Sequence, residues 1–177
     1  KHLMDQGCKR IAHLIGNRNL LIAEKRKQGY IDALKENGLP IDESLIVESG
    51  IMMDGAAVGA EKLLKLPQPP DGIFAINDPA AIGAMKILKR HGIRIPEDIA
   101  IIGFSESRMA TIIEPNLSSV EQPTFEMGRV AAQLLLEQID SKMQVIPKTV
   151  ILEPKLNMRE SSLRILKATA ESREFRN

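Results

Sequence analysis

The sequence predicts an α/β protein in which a parallel sheet is sandwiched by helices. Two observations carry that prediction. From Arg10 to Phe104, short apolar runs alternate with longer segments of helical periodicity. Parallel strands demand that rhythm, because each crossover must return the chain to the same end of the sheet. Within this span, Asp71–Ser105 reads as one complete βαβ unit. It has an apolar run at Gly72–Ile76, a helix in which Ala81, Ala84, Met85 and Leu88 recur at three- and four-residue steps, and a second run at Ile99–Ile102. Neither run alternates with polar residues, as expected of strands covered on both faces.

In chain order, His2–Gln6 ends a helix that Gly7 stops, and Arg10–Ile15 is a strand broken by the polar turn Gly16–Asn19. A helix follows from Leu21 to Asn37, with Tyr30, Ile31, Ala33 and Leu34 as its apolar stripe; Gly38 supplies a left-handed cap and Pro40 forbids continuation. Leu45–Glu48 is a short strand. Asp54 is expected to cap the next helix, which buries Ala57, Ala60, Leu63 and Leu64 and ends at Pro67. In the βαβ unit, Asp78 before Pro79 is expected to be the helix N-cap, with proline at the first helical position. His91-Gly92 closes that helix.

After Phe104 the alternation stops. Ser107–Ile113 is expected to be a short helix ending before Pro115, Asn116–Pro123 is extended, and a long helix covers Thr124–Asp140. Phe125, Gly128, Ala132, Leu135 and Ile139, widened by Met127, Val130, Leu134 and Leu136, give that helix an apolar face broader than one sheet covers. It is expected to pack on a second lobe, a subunit, or both. Thr149–Leu152 is expected to be a strand, with Pro154 turning the chain. Leu163–Asn177 has helical composition without a decisive pattern.

Composition narrows the function classes. Of 177 residues, 44% are apolar and 27% charged, ordinary for a globular domain with a real core. Twenty-four basic against 23 acidic side chains leave a net charge of +1 with no like-charge block, so these residues carry no footprint for a phosphate backbone. Aromatics amount to 3%, too few for base stacking. The single cysteine, Cys8, excludes an internal disulfide and any multi-cysteine metal site, and it leans towards a reducing compartment. No apolar run spans a bilayer. The chain begins at Lys1, inside an element, and reads as an excised fragment.

Parallel α/β sheets bind ligands outside the carboxyl ends of their strands. The loops there are Gly16–Leu20, Ser49–Met53, Asn77–Pro79 and Phe104–Ser107, and they gather Asn17, Arg18, Asn77, Asp78, Ser105 and Glu106, with Arg26 in reach from the following helix. Arginine offers a fixed fork of donors and asparagine a donor beside an acceptor, which suits hydroxyls or carboxylates on a small polar ligand. Arg26 has no acid three or four residues away, so no helical ion pair explains it. Catalytic constellations are thin. His13, in an apolar strand, reads as a hydrogen-bonded core residue, and neither a GxSxG elbow, a P-loop nor a GxGxxG follows a strand. No catalytic residue, metal ligand or cofactor is expected.

Four segments together resemble the LacI/GalR family of bacterial transcription regulators. Arg26-Lys27-Gln28-Gly29-Tyr30 with Ala33-Leu34 and Gly38 is similar to its RxxGY…AL…G segment, and Phe74–Asp78 with Ala81 and Gly83 to its FxxNDxxAxG. Gly92–Ile99 with Gly103-Phe104 resembles GxxVPxDIxVxGFD, and Leu117–Pro123 with Gly128 resembles LTTVxQPxxxxG. The order and spacing hold from about Gly7 to Glu160.

The resemblance implies a periplasmic-binding-protein-like fold of two α/β lobes with an effector cleft between them. Residues 1–121 would form the C-terminal lobe, 122–153 a crossover helix and strand belonging to a second, truncated lobe, and 154–162 the return; 163–177 stay unassigned. It further implies a cytoplasmic homodimer that binds operator DNA through a helix-turn-helix upstream of Lys1. By family pattern, Arg26, Asn77 and the residue after Gly103-Phe104 touch a sugar-like effector, with Asn17 and Glu106 nearby. The family usually has aspartate at that last place and this chain has Ser105. A hydroxyl cannot match a carboxylate's charge-assisted grip on two sugar hydroxyls, so the role passes to Glu106 or the effector differs from a typical pyranose. A secreted solute-binding protein would use the same edge and is the alternative reading; an enzyme on a flavodoxin-like sheet is the third.

Overall fold

A computed structural model describes residues 1–140 and 147–164. Its centre is a six-stranded sheet in the order β2-β1-β3-β4-β5-β6. The strands are β1 (Ile11–Ile15), β2 (Ile46–Glu48), β3 (Gly72–Ala75), β4 (Ala100–Phe104), β5 (Ser118–Glu121) and β6 (Lys155–Asn157). The first five run parallel and β6 is antiparallel to β5, with Glu121 opposite Lys155. The helices are α1 (His2–Asp5), α2 (Leu21–Glu36), α3 (Met53–Leu64), α4 (Asp78–Arg90) and α5 (Thr124–Asp140).

The pleat sorts the core into two layers. Ala12, Leu14, Ile73, Ala75 and Ile101 face α3 and α4, joining Ala60, Leu63, Ala84 and Leu88. Ile11, Ile15, Phe74 and Ile102 face the other way, towards Leu3 of α1 and Tyr30 and Leu34 of α2. Helices α3 and α4 cross closely because Gly83 has no side chain; a Cβ there would strike the Met53 backbone. Over β4 and β5 the α1–α2 layer leaves a hollow of about 350 Å³, walled by Phe74, Ile102, Phe104, Val120 and Leu156.

Three expectations need correction. Asp54 does not cap α3; Met52 occupies the N-cap without a side-chain bond, and Asp54 lies within the first turn. The expected helix at Ser107–Ile113 is a 3-10 turn at Arg108–Thr111. Thr149–Leu152 forms no strand, although Lys155–Asn157 does. β-Branched composition favours extension, but a strand exists only where a neighbour accepts its hydrogen bonds, and β5 offers that edge only to residues 155–157. Helix α5 matches its expected span and has no buried residue: Phe125 is 85% and Ile139 68% exposed. The tail beyond Arg164 lies outside the described residues.

Candidate functional site

The chain reverses its direction across the sheet between β1 and β3, since β2 lies on one side of β1 and β3 on the other. A crevice outside the carboxyl ends belongs at such a reversal. Gly16 sits there, where a Cβ would lie 3.4–3.6 Å from the side chains of Ile76, Ala23 and Ile51, in ordinary van der Waals contact.

Arg26 projects from the second turn of α2 to the same edge. Its Nη1 donates to the Ile76 carbonyl at 2.5 Å, and its guanidinium lies over the Phe104 ring, 3.8 Å from the centroid. It therefore spans the ends of β3 and β4, next to Asn77 on one and Ser105 on the other. Half-burial lowers its pKa from the ordinary arginine value, and at neutral pH it stays charged. The Ile76 carbonyl takes one N–H of its donor fork, and the Phe104 ring covers the guanidinium plane without using its N–H groups.

Asn77, not Asp78, caps α4. The Asn77 Oδ1 accepts the Ala80 N–H at 2.9 Å, and its Nδ2 donates to the Ile51 carbonyl at 3.0 Å, tying the β2–α3 loop to the β3–α4 turn. One N–H and one lone pair of the carboxamide remain. Asp78 is displaced from capping by a stronger demand. Fully buried, its carboxylate accepts the Ser107 N–H on Oδ2 and the Ser119 hydroxyl on Oδ1. A buried carboxylate is tolerable only with such donors, and the cap falls to its neighbour.

Ser105 and Glu106 both take left-handed backbone angles, φ 106° and 56°, which non-glycine residues rarely adopt. The Ser105 hydroxyl accepts from Gln122 Nε2 at 3.2 Å. The Glu106 carboxylate forms a two-pronged ion pair with the Arg159 guanidinium, the second contact at 3.2 Å, and its N–H donates to Ser119 Oγ at 3.1 Å. Asn17 folds on itself, Oδ1 accepting the Asn19 N–H at 2.9 Å in an exposed turn. Arg18 reaches Glu48 at 3.5 Å across open solvent.

The structure thus brings Arg26, Asn77 and Ser105 to one stretch of edge, sets Asn17 at its rim, and commits the Glu106 carboxylate to Arg159. Sequence reasoning did not find Arg159, Ser119 or Gln122. Ser119 and Gln122 lie in the Leu117–Pro123 segment whose spacing drew attention, but nothing local to Arg159 marks it. Among the described residues no group of three His, Cys, Asp or Glu could hold a metal, and no helix is long and apolar enough to cross a membrane. The 350 Å³ hollow is no rival site for a polar ligand, because its walls are apolar apart from Arg26 and the α1 end.

Residues 1–162 match the family described as periplasmic binding protein-like domain. The chain is 34% identical over 161 residues to the ribose operon repressor of Haemophilus influenzae, covering 91% of this chain and 48% of that protein. Among solved structures, a transcriptional regulator CelR–cellobiose complex superposes with a TM-score of 0.85 at 34% identity, over 90% of this chain and 48% of the other. A LacI-family sugar-binding transcriptional regulator from Escherichia coli, complexed with phosphate, gives 0.82 at 34%, over 90% and 56%. The chain spans about half the length of the curated relatives it matches.

Proposed function

The chain belongs to the periplasmic binding protein-like family, among the LacI-type regulators, and on that footing we propose that it is the ligand-sensing and dimerisation region of a DNA-binding transcriptional regulator. The effector is a small polar molecule of sugar type. Arg26, Asn77 and Ser105 contact it, Asn17 sits at the rim, and Glu106 contributes through its pairing with Arg159. Residues 1–121 form one lobe and 122–153 cross to a second, from which 154–162 return. A second lobe and a second copy of the protein cover the apolar face of α5; the greater length of the relatives supports this, as does the lack of any buried residue on the helix against the described residues. Operator DNA is read by a segment upstream of Lys1, in the cytoplasm, and the region carries out no catalysis.

The observation that carries the reading is Arg26 bridging the ends of β3 and β4 with no carboxylate paired to it among the described residues. An effector held between lobes favours one lobe arrangement, and it changes operator affinity only by as much as it discriminates the arrangements. The test is calorimetry of the intact regulator against D-ribose and cellobiose, the sugars in the relatives' names. Arg26→Ala abolishes the binding seen with the unaltered protein. Unchanged affinity in the variant, or no heat from either sugar with the unaltered protein, counts against this site.

A further inference from the structure

The loop after β4 is held from three sides, and the holding residues sit where the chain leaves and re-enters the sheet. Ser105 and Glu106 are both in left-handed conformations without being glycine. Such a backbone persists only where its surroundings impose it. From the α4 side, Asp78 takes the Ser107 N–H. From β5, Ser119 accepts the Glu106 N–H while donating to Asp78, so one hydroxyl joins loop, strand and helix. From the residue two beyond β6, Arg159 pairs with Glu106 and donates to the Leu117 carbonyl at 2.7 Å.

The Glu106–Arg159 pair is unlike the other ion pairs of the described residues. Its side chains are 16% and 18% exposed, whereas those of the other pairs range from 30% to 70%. Exposed pairs contribute little; a two-pronged arginine–carboxylate pair shielded from water fixes geometry far better. The pair raises the Arg159 pKa, chiefly through the hydrogen bonds that its guanidinium donates to the Glu106 carboxylate. Beyond β5, Gln122 donates to the Ser105 hydroxyl itself. Strands β5 and β6 are the outgoing and returning legs of the excursion that carries α5.

We infer that the Glu106–Arg159 pair is a latch that imposes the left-handed loop and fixes Ser105 against the outgoing and returning strands, making Arg159 a positioning residue for the effector edge. The inference rests on the reading of Ser105 as an effector contact. A displacement of Ser105 by ligand is felt at β5 and β6 together, because the loop has no slack between them. Arg159 touches no ligand in this arrangement; it acts through Glu106.

Amide exchange followed by NMR on the ligand-free full chain tests the latch. Arg159→Met speeds exchange of the Glu106 and Ser107 amides by about tenfold or more while β1 and β3 amides keep their rates, and Arg159→Lys recovers part of the protection. The strain itself is tested at one position. Glu106→Gln opens the loop as Arg159→Met does, whereas Glu106→Gly keeps the two amides protected, because glycine takes a left-handed φ without an imposed hold. Equal acceleration in the Gln and Gly variants, a uniform rise that includes β1 and β3, or no change in Arg159→Met overturns the latch. Should Arg159→Met fail to fold, the Gln and Gly variants decide alone. Because no ligand enters the experiment, its outcome is separate from that of the Arg26→Ala calorimetry.

Discussion

Gly103 faces the buried carboxylate of Asp78 so closely that a Cβ on residue 103 would overlap Oδ1, with Leu117 Cδ2 only 3.0 Å away on the other side. Here the glycine is required by space, not by its backbone angles. The end of β4 and the first turn of α4 are pressed together, and the carboxylate between them organises the loop that follows β4.

Gly103→Ala therefore destabilises the chain. The methyl group must push Asp78 off its two donors or shift β4, and overpacking of this kind costs about 1–3 kcal/mol. Loss of either buried hydrogen bond adds to that. Urea denaturation monitored by far-ultraviolet circular dichroism reads the change as a lower midpoint; a midpoint within error of the unaltered chain would contradict the packing described for Asp78.

His13 gives the fold an acid weakness. It is fully buried in β1, stacked on Phe74 with centroids 4.6 Å apart, and its Nδ1 bonds the Phe74 carbonyl at 2.9 Å, while Nε2 has no partner among the described residues. Burial depresses its pKa from 6.5 to about 4, against a smaller opposing effect of the Phe74 carbonyl. The native state thus stays unprotonated where the unfolded chain takes up a proton, so stability is full above pH 6.5 and falls as pH drops towards 4. The loss approaches about 1.4 kcal/mol per pH unit within that window. Denaturation midpoints at pH 7 and pH 5 should diverge for the native sequence and converge for His13→Gln. Parallel losses in both proteins would remove His13 from the account.

Phe125 separates the two fates of α5. At 85% exposed it has little to lose within this chain. Phe125→Asp leaves the unfolding free energy of the 177-residue chain within about 0.5 kcal/mol, as surface substitutions do. In the proposed assembly the same change sets an unpaired charge against the surface that would cover the helix, and sedimentation or thermal melting of the intact regulator should show weakened assembly. A large loss in the chain alone would mean that α5 packs on the sheet.

Much of this architecture is visible in the amino acids. The α4 pattern of Ala81, Ala84, Met85 and Leu88 states both the helix and its buried face, because burial on one side forces a 3.6-residue period. The choice between Asn77 and Asp78 as cap is not local. Either residue is chemically able; Asp78 is taken by Ser107 and Ser119, which lie 29 and 41 residues further on. The same holds for Arg159, whose role depends on Glu106 53 residues earlier. Thr149–Leu152 failed as a strand for a related reason, since residue preference cannot supply a neighbour.

The pairing of Glu121 with Lys155 has a topological consequence. Where the chain departs from the sheet and where it returns are the two ends of one rung of an antiparallel ladder. β5 and β6 thus close the base of an excursion that includes α5, at the sheet's margin. The five parallel strands take no pairing from that excursion, so the sheet's hydrogen bonding does not depend on the length of chain that joins the two ends.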